Sequence, residues 1–111
     1  MATQVLSRLS FNGDVRPGRT IEARWLCNHP METGFRVDDA GQRIPRHIIT
    51  QVQCRLNGTL ILQATPGTGW SSPAYLAFSL VVPAQGGSVE VSWLDDHGVQ
   101  GQVTQNLVLA P

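Results

Sequence analysis

The run His47-Ile48-Ile49-Thr50-Gln51-Val52-Gln53-Cys54-Arg55-Leu56-Asn57-Gly58-Thr59-Leu60-Ile61-Leu62-Gln63-Ala64 decides the fold. Ile48, Val52, Cys54 and Leu56 interleave with Gln51, Gln53 and Arg55. That period of two is what a strand with one face on a core requires. Asn57-Gly58 follows, between two apolar runs. Asn-Gly supplies the paired positive φ of a type I′ turn, so the chain reverses there into a return strand. The same alternation recurs on both sides of this hairpin. Ile21, Ala23, Trp25 and Cys27 alternate with Glu22, Arg24 and Leu26, and Val89, Val91 and Trp93 alternate with Glu90 and Ser92. Near the start, Val5, Leu9 and Phe11 share a face with Ser7, and near the end Val99, Val103, Leu107 and Leu109 share one parity. Arg16-Pro17-Gly18 and Asp95-Asp96-His97-Gly98 carry turn chemistry between the runs. No segment sustains a helical apolar stripe. The expected strands lie near 4–11, 20–28, 47–57, 59–64, 74–82, 87–94 and 99–109. About seven short antiparallel strands predict an all-β, immunoglobulin-like sandwich formed by one domain over 1–111.

Composition narrows the function. The 111 residues carry 8 basic and 8 acidic side chains, and every basic one is Arg. All the Arg residues fall within the first half, which is net positive, while the second half carries only Glu90, Asp95 and Asp96. A neutral chain lacks the basic excess of a nucleic-acid binder. With 41% hydrophobic residues it is not a disordered tail. No apolar run approaches the length of about 18 residues that a membrane helix needs. Met1 to Phe11 shows no basic segment followed by an apolar one, so no secretory signal is expected there.

Three features go beyond the fold. In Ala74-Tyr75-Leu76-Ala77-Phe78-Ser79-Leu80-Val81-Val82, Leu76, Phe78, Leu80 and Val82 face the core, leaving Tyr75, Ala77 and Val81 outside. A strand apolar on both faces is covered on both, either by loops of its own chain or by a partner. Two long loops, 29–46 and 65–73, flank the strands. Trp70 in the second either folds back as a plug or stands out as an anchor for another protein. Arg36, Arg43 and Arg46 in the first, with Arg55 beyond it, read as a solvated mixed-charge segment or as a recognition surface for carboxylates and oxyanions.

Catalytic chemistry is weakly indicated. Ser71, His97 and Asp95 can be drawn as a nucleophile set, but no motif supports them. Cys27 and Cys54 fall at inward strand positions, which reads as two buried free thiols in preference to a bridge. Cys27, His29 and Met31 are soft ligands, with Cys54 as a second thiol, so a small copper-binding or thiol-redox sandwich is the alternative class. No metal or cofactor is expected on the leading reading.

His29-Pro30-Met31-Glu32-Thr33-Gly34, then Arg36, Asp38, Gly41, Ile44-Pro45-Arg46 and Ile48-Ile49, resemble the signature block of the SoxZ family. The resemblance continues through Cys54, Asn57-Gly58, Pro73, Tyr75, Phe78 and Trp93-Leu94-Asp95-Asp96 before Gly98, and is weakest over Met1–Asp14 and the last strand. It implies a seven-stranded immunoglobulin-like sandwich and a non-enzymatic subunit of a bacterial sulfur-oxidation carrier. The implied partner is a SoxY-type chain, whose Gly-Gly-Cys-Gly-Gly-type arm carries the sulfur substrate covalently and presents it to the other Sox enzymes. This chain ends Asn106-Leu107-Val108-Leu109-Ala110-Pro111, without such an arm. The resemblance further implies a periplasmic protein without its own signal, exported with its partner. Met31, Phe35, Arg36, Arg46, Trp70 and Tyr75 are the expected partner contacts.

Overall fold

The computed structural model describes residues 5–111. Seven strands follow one another: β1 Ser7–Asn12, β2 Thr20–Cys27, β3 Ile49–Leu56, β4 Thr59–Ala64, β5 Ala74–Val81, β6 Gly87–Asp95 and β7 Gln100–Leu107. They form two antiparallel sheets, β1-β2-β5 and β4-β3-β6-β7. This is the all-β, immunoglobulin-like sandwich expected. The two-residue Asn57-Gly58 turn, with Asn57 at φ 51° and Gly58 at φ 83°, binds β4 to β3 and so keeps it in the second sheet. The division into three and four strands follows from that hairpin. Among the described residues no helix is long and apolar enough to cross a membrane.

The core lies between the sheets where the alternation puts it. Ile21, Ala23, Trp25 and Cys27 from β2 face Val52 and Cys54 from β3 and Val89, Val91 and Trp93 from β6, all buried. Each fully buried aliphatic side chain of this kind contributes about 1.5–3 kcal/mol. Gly101 stands opposite Trp93 on β7, and a side chain there would overlap the indole. The glycine is the space that lets Trp93 lie flat along the inner face.

Two strand expectations shift. Ile48 and Val52 are buried as expected, but Ile49 is buried with them, three residues before Val52, because the β3–β6 register slips between Ile49 and Gln51. Such a bulge inserts one residue and reverses the parity of those before it. Val99 is not on the core-facing side of the last strand but is 45% exposed, since it closes the turn that precedes β7 by pairing with Asp95. The expected first strand begins at residue 4, which lies outside the described residues, as do the first four residues of the segment read for a signal.

Candidate partner-docking site

One end of the sandwich collects the chain's unusual features. The end of β2, the start of β3, the start of β5 and the end of β6 meet there, so the 28–48 loop, the 65–73 loop and the β6–β7 turn are neighbours. The strand parity carries two polar residues into the core at this end. His29 continues the inward series 23, 25, 27, and Asp95 continues 89, 91, 93.

Asp95 is the centre of the resulting network. Its Oδ2 accepts from Nε2 of His29 at 3.0 Å and of His47 at 2.7 Å. Its Oδ1 accepts the backbone N–H groups of His97 and Val99, each at 2.9 Å. Nδ1 of His29 accepts the Met31 N–H at 3.1 Å, so the His29 proton sits on Nε2 and points at Asp95. His47 stacks on His97 with ring centroids 3.8 Å apart, and Nε2 of His97 donates to the Arg46 carbonyl. Next to it, Asp96 accepts from the Ile48 N–H and from Nε of Arg46, both at 3.0 Å. The bonds of His29 and His47 to Asp95, of His97 to Arg46, and of Ile48 and Arg46 to Asp96 tie the 28–48 loop to the β6–β7 turn, and the others shape each segment from within.

Burial pushes the Asp95 carboxyl up, but the hydrogen bonds from His29, Val99, His47 and His97 outweigh it and bring it from 3.8 down to about 2. Burial also holds the His29 imidazole below its ordinary value of 6.5, against the pull of Asp95. Both shifts act in the same sense: the unfolded chain binds more protons than the folded one as the medium acidifies. Stability is therefore complete above pH 6.5 and falls with acid, first as unfolded His29 takes up its proton. The Asp95 contribution, about 2 kcal/mol, is present above pH 3.8 and is lost as pH drops through about 2. Urea midpoints measured from neutral to acid pH are expected to fall continuously. A flat profile would contradict the network.

The candidate metal and redox groupings look different once their atoms are placed. Donor atoms of His29, His47 and Asp95 lie within 4.8 Å of one another. A cation on Nε2 of His29 would move the proton to Nδ1, where it would face the Met31 N–H, donor against donor. The triad is built for protons. Of the copper or thiol set, Met31 Sδ accepts the Ile49 N–H at 3.4 Å and both ring nitrogens of His29 are engaged. Cys27 and Cys54 are free and buried. Burial raises both thiols, Cys54 to about 11, with the His29 N–H partly offsetting the rise at Cys27. Such thiols are inert. Nor do Ser71, His97 and Asp95 assemble: His97 and Asp95 are committed as above, while Ser71 lines a separate groove.

That groove, about 560 Å³ and open to solvent, runs between the two long loops past Pro30, Thr33, Arg36, Trp70 and Ser72. Trp70 lies half-buried against the core while still forming a wall of the groove, so it is both plug and surface. Arg36 grips Glu32 with two bonds, Nη2–Oε1 at 2.6 Å and Nε–Oε2 at 3.1 Å. Phe35 projects at 76% exposure, and Tyr75 at 52%. Arg46 remains exposed although Nε is held by Asp96. Met31 differs from the other expected contact residues. At φ 48° its side chain turns into the core and is 5% exposed, so it packs beneath the loop while lining the same groove. His29, His47 and Asp95 are absent from that expected set, although extending the inward parity by one position would have found His29 and Asp95.

A sandwich of immunoglobulin-like type, with its polar cluster spent on shaping two loops, is the class that fold and site define. A family model described as Sulphur oxidation protein SoxZ matches residues 10–106 of the 111, and the chain belongs to that family. No curated protein matches the chain.

Proposed function

We propose that this chain is a non-catalytic subunit of a sulfur-carrier pair. It supports a SoxY-type subunit that holds sulfur intermediates covalently during periplasmic thiosulfate oxidation. The observation that carries the proposal is the burial of both cysteines in a sulfur-oxidation protein. The chain's 2 Cys are enclosed between the sheets, which supports a sulfur-bearing thiol supplied by another chain. What this chain offers that partner is surface: Phe35, Arg36, Arg46, Trp70 and Tyr75 around one end of a single domain. Transient docking of the other Sox enzymes would use the same platform, and periplasmic residence follows from export with the partner.

Co-expression with a SoxY-type chain is expected to give a complex that persists through sizing. Phe35→Ala and Trp70→Ala should each weaken it about 30-fold, the effect of losing an aromatic anchor worth about 2 kcal/mol. Two chains that elute separately would defeat the proposal. So would rapid alkylation of the folded chain, because an accessible thiol would restore a carrier or redox role to this subunit.

A further inference from the structure

β5 forms one edge of its sheet, paired with β2 on one side and, among the described residues, with nothing on the other. Its sequence, Ala74-Tyr75-Leu76-Ala77-Phe78-Ser79-Leu80-Val81, holds no charge and no proline. Natural edge strands are ordinarily blunted by charges, prolines or bulges, and an edge without them is a template for another strand.

The backbone shows which groups are free. The Val82 N–H donates to the Arg19 carbonyl and the Val82 carbonyl accepts from the Gly18 N–H, both at 2.9 Å, so Val82 is turned toward β2. The β2–β5 register runs from Thr20↔Val81 to Cys27↔Ala74 without a slip. Antiparallel residues turn alternately to one side and the other. Ala74, Leu76, Phe78 and Leu80 are therefore bonded to β2. Tyr75, Ala77, Ser79 and Val81 direct their N–H and C=O groups to the open edge.

These outward groups are symmetric about Phe78. Ala77 and Ser79 stand one residue away on either side, Tyr75 and Val81 three, and Pro73 and Pro83 five. Both prolines are outward positions that have no N–H to offer. A second β5 laid antiparallel with its two-fold axis at Phe78 pairs Ala77 with Ser79 and Tyr75 with Val81. Proline meets proline at both ends of the ladder. Moving the axis one outward step either way sets Val81 against Pro73 or Tyr75 against Pro83 and leaves the Val81 or the Tyr75 carbonyl opposite a residue with no N–H to give it. The side chains agree with this register. On the outer face Tyr75 (52% exposed) would cover Val81 (56%) of the second copy, beside Leu26 (42%), and each would do so twice. On the inner face Leu76 meets Leu80, closing the open flank of about 380 Å³ where Ile61 and Leu62 face Phe78 and Val81.

We propose that, without its partner subunit, this chain forms a two-fold dimer in which β5 pairs antiparallel with β5 of a second copy about Phe78. The two three-stranded sheets then become one sheet of six strands.

Light scattering and sedimentation of the isolated full chain test it. The mass is expected to rise with concentration from 12.1 kDa to twice that value and no further, because the interface is self-complementary and closed. Register is tested by two double variants, each first shown to melt cooperatively. Tyr75→Lys with Val81→Lys sets like charges together at both outer pairs and should abolish the dimer. Tyr75→Lys with Val81→Glu sets opposite charges together and should retain it. Ser79→Pro removes an outward N–H that is unbonded in the monomer, and symmetry doubles the loss, so dissociation should rise about tenfold or more. A chain monomeric at every concentration overturns the proposal, including one that pairs only with a SoxY-type subunit. A Lys/Lys variant that still dimerises overturns it by placing the contact elsewhere. A Lys/Glu variant that is monomeric overturns the register.

Discussion

Asp95→Asn is expected to destabilise the protein by about 3–5 kcal/mol, as removing one partner from a buried ionic cluster does. The change keeps size and shape but exchanges one accepting oxygen for an amide that donates. Placed toward Oδ2's position, the amide opposes Nε2–H of His29 and of His47. His47 can answer by changing tautomer. His29 cannot, because its Nδ1 is the acceptor for the Met31 N–H. Flipped, the amide opposes the backbone N–H groups of His97 and Val99, which have no second tautomer. Either orientation leaves buried donors facing donors, at about 1–3 kcal/mol each. For a chain of this size the melting temperature should drop by about 15 °C or more. Asp96→Asn is the control one residue away. Its oxygen can keep the Ile48 N–H, and the ion pair and bond it loses are to Arg46, whose exposed side chain can turn to solvent, at about 1 kcal/mol or less. Urea unfolding of both variants checks the contrast, and equal costs would show that the Asp95 network is not what holds the loop. The part of the acid sensitivity below pH 3.8 that Asp95 supplies should also vanish in Asp95→Asn, leaving that of Glu32, whose carboxyl the Arg36 bond holds below its ordinary 4.5.

The network also marks how far the sequence could be read. Period two placed Ile21, Ala23, Trp25, Cys27, Val89, Val91 and Trp93 correctly on the inner face. Asn57-Gly58 gave both the hairpin and, through it, the sheet to which β4 belongs. Carrying the parity past the apolar residues would have put His29 and Asp95 inside as well, but a polar side chain is ordinarily taken as the end of the buried series. Two features left no local trace. The bulge at Ile49–Gln51 is fixed by the register against β6, which is non-local. The inward turn of Met31 needs φ 48°, a conformation nothing about methionine announces, and it is held by the bonds of its N–H to His29 and its Sδ to Ile49. The exposed positions on the outer face of β5 were legible as apolar. That the chain's own loops leave Tyr75 and Val81 uncovered was decided by where those loops are tied, at the Asp95 end and across the groove.

The far end of the sandwich should be as sensitive, at Gly87. Gly87→Ala is expected to cost about 3–5 kcal/mol, whereas Gly58→Ala, at a positive φ of similar type, should cost only about 1 kcal/mol. Nothing lies within 4 Å of a side chain added at Gly58, so that change pays the backbone penalty alone. Gly87 sits at φ 125°, and a methyl group there would overlap the Asn57 side chain. Asn57 is not only the first turn residue of the β3–β4 hairpin. Its Nδ2 donates to the Gly86 carbonyl at 3.2 Å and its Oδ1 accepts the Ser88 N–H at 2.9 Å, so it stitches that hairpin to the start of β6. Displacing it forfeits both bonds, about 1 kcal/mol each, in addition to about 1–3 kcal/mol of backbone strain at residue 87. The two parts are separable. In an Asn57→Gly background, which preserves the turn's positive φ while removing the side chain, Gly87→Ala should lose its steric component and cost about 1–3 kcal/mol. A double-mutant cycle on denaturant midpoints then reports a coupling of about 1–2 kcal/mol between positions 57 and 87. Strict additivity would mean that Gly87 is required for its dihedral angle alone, and that the Asn57 side chain does not join the two turns.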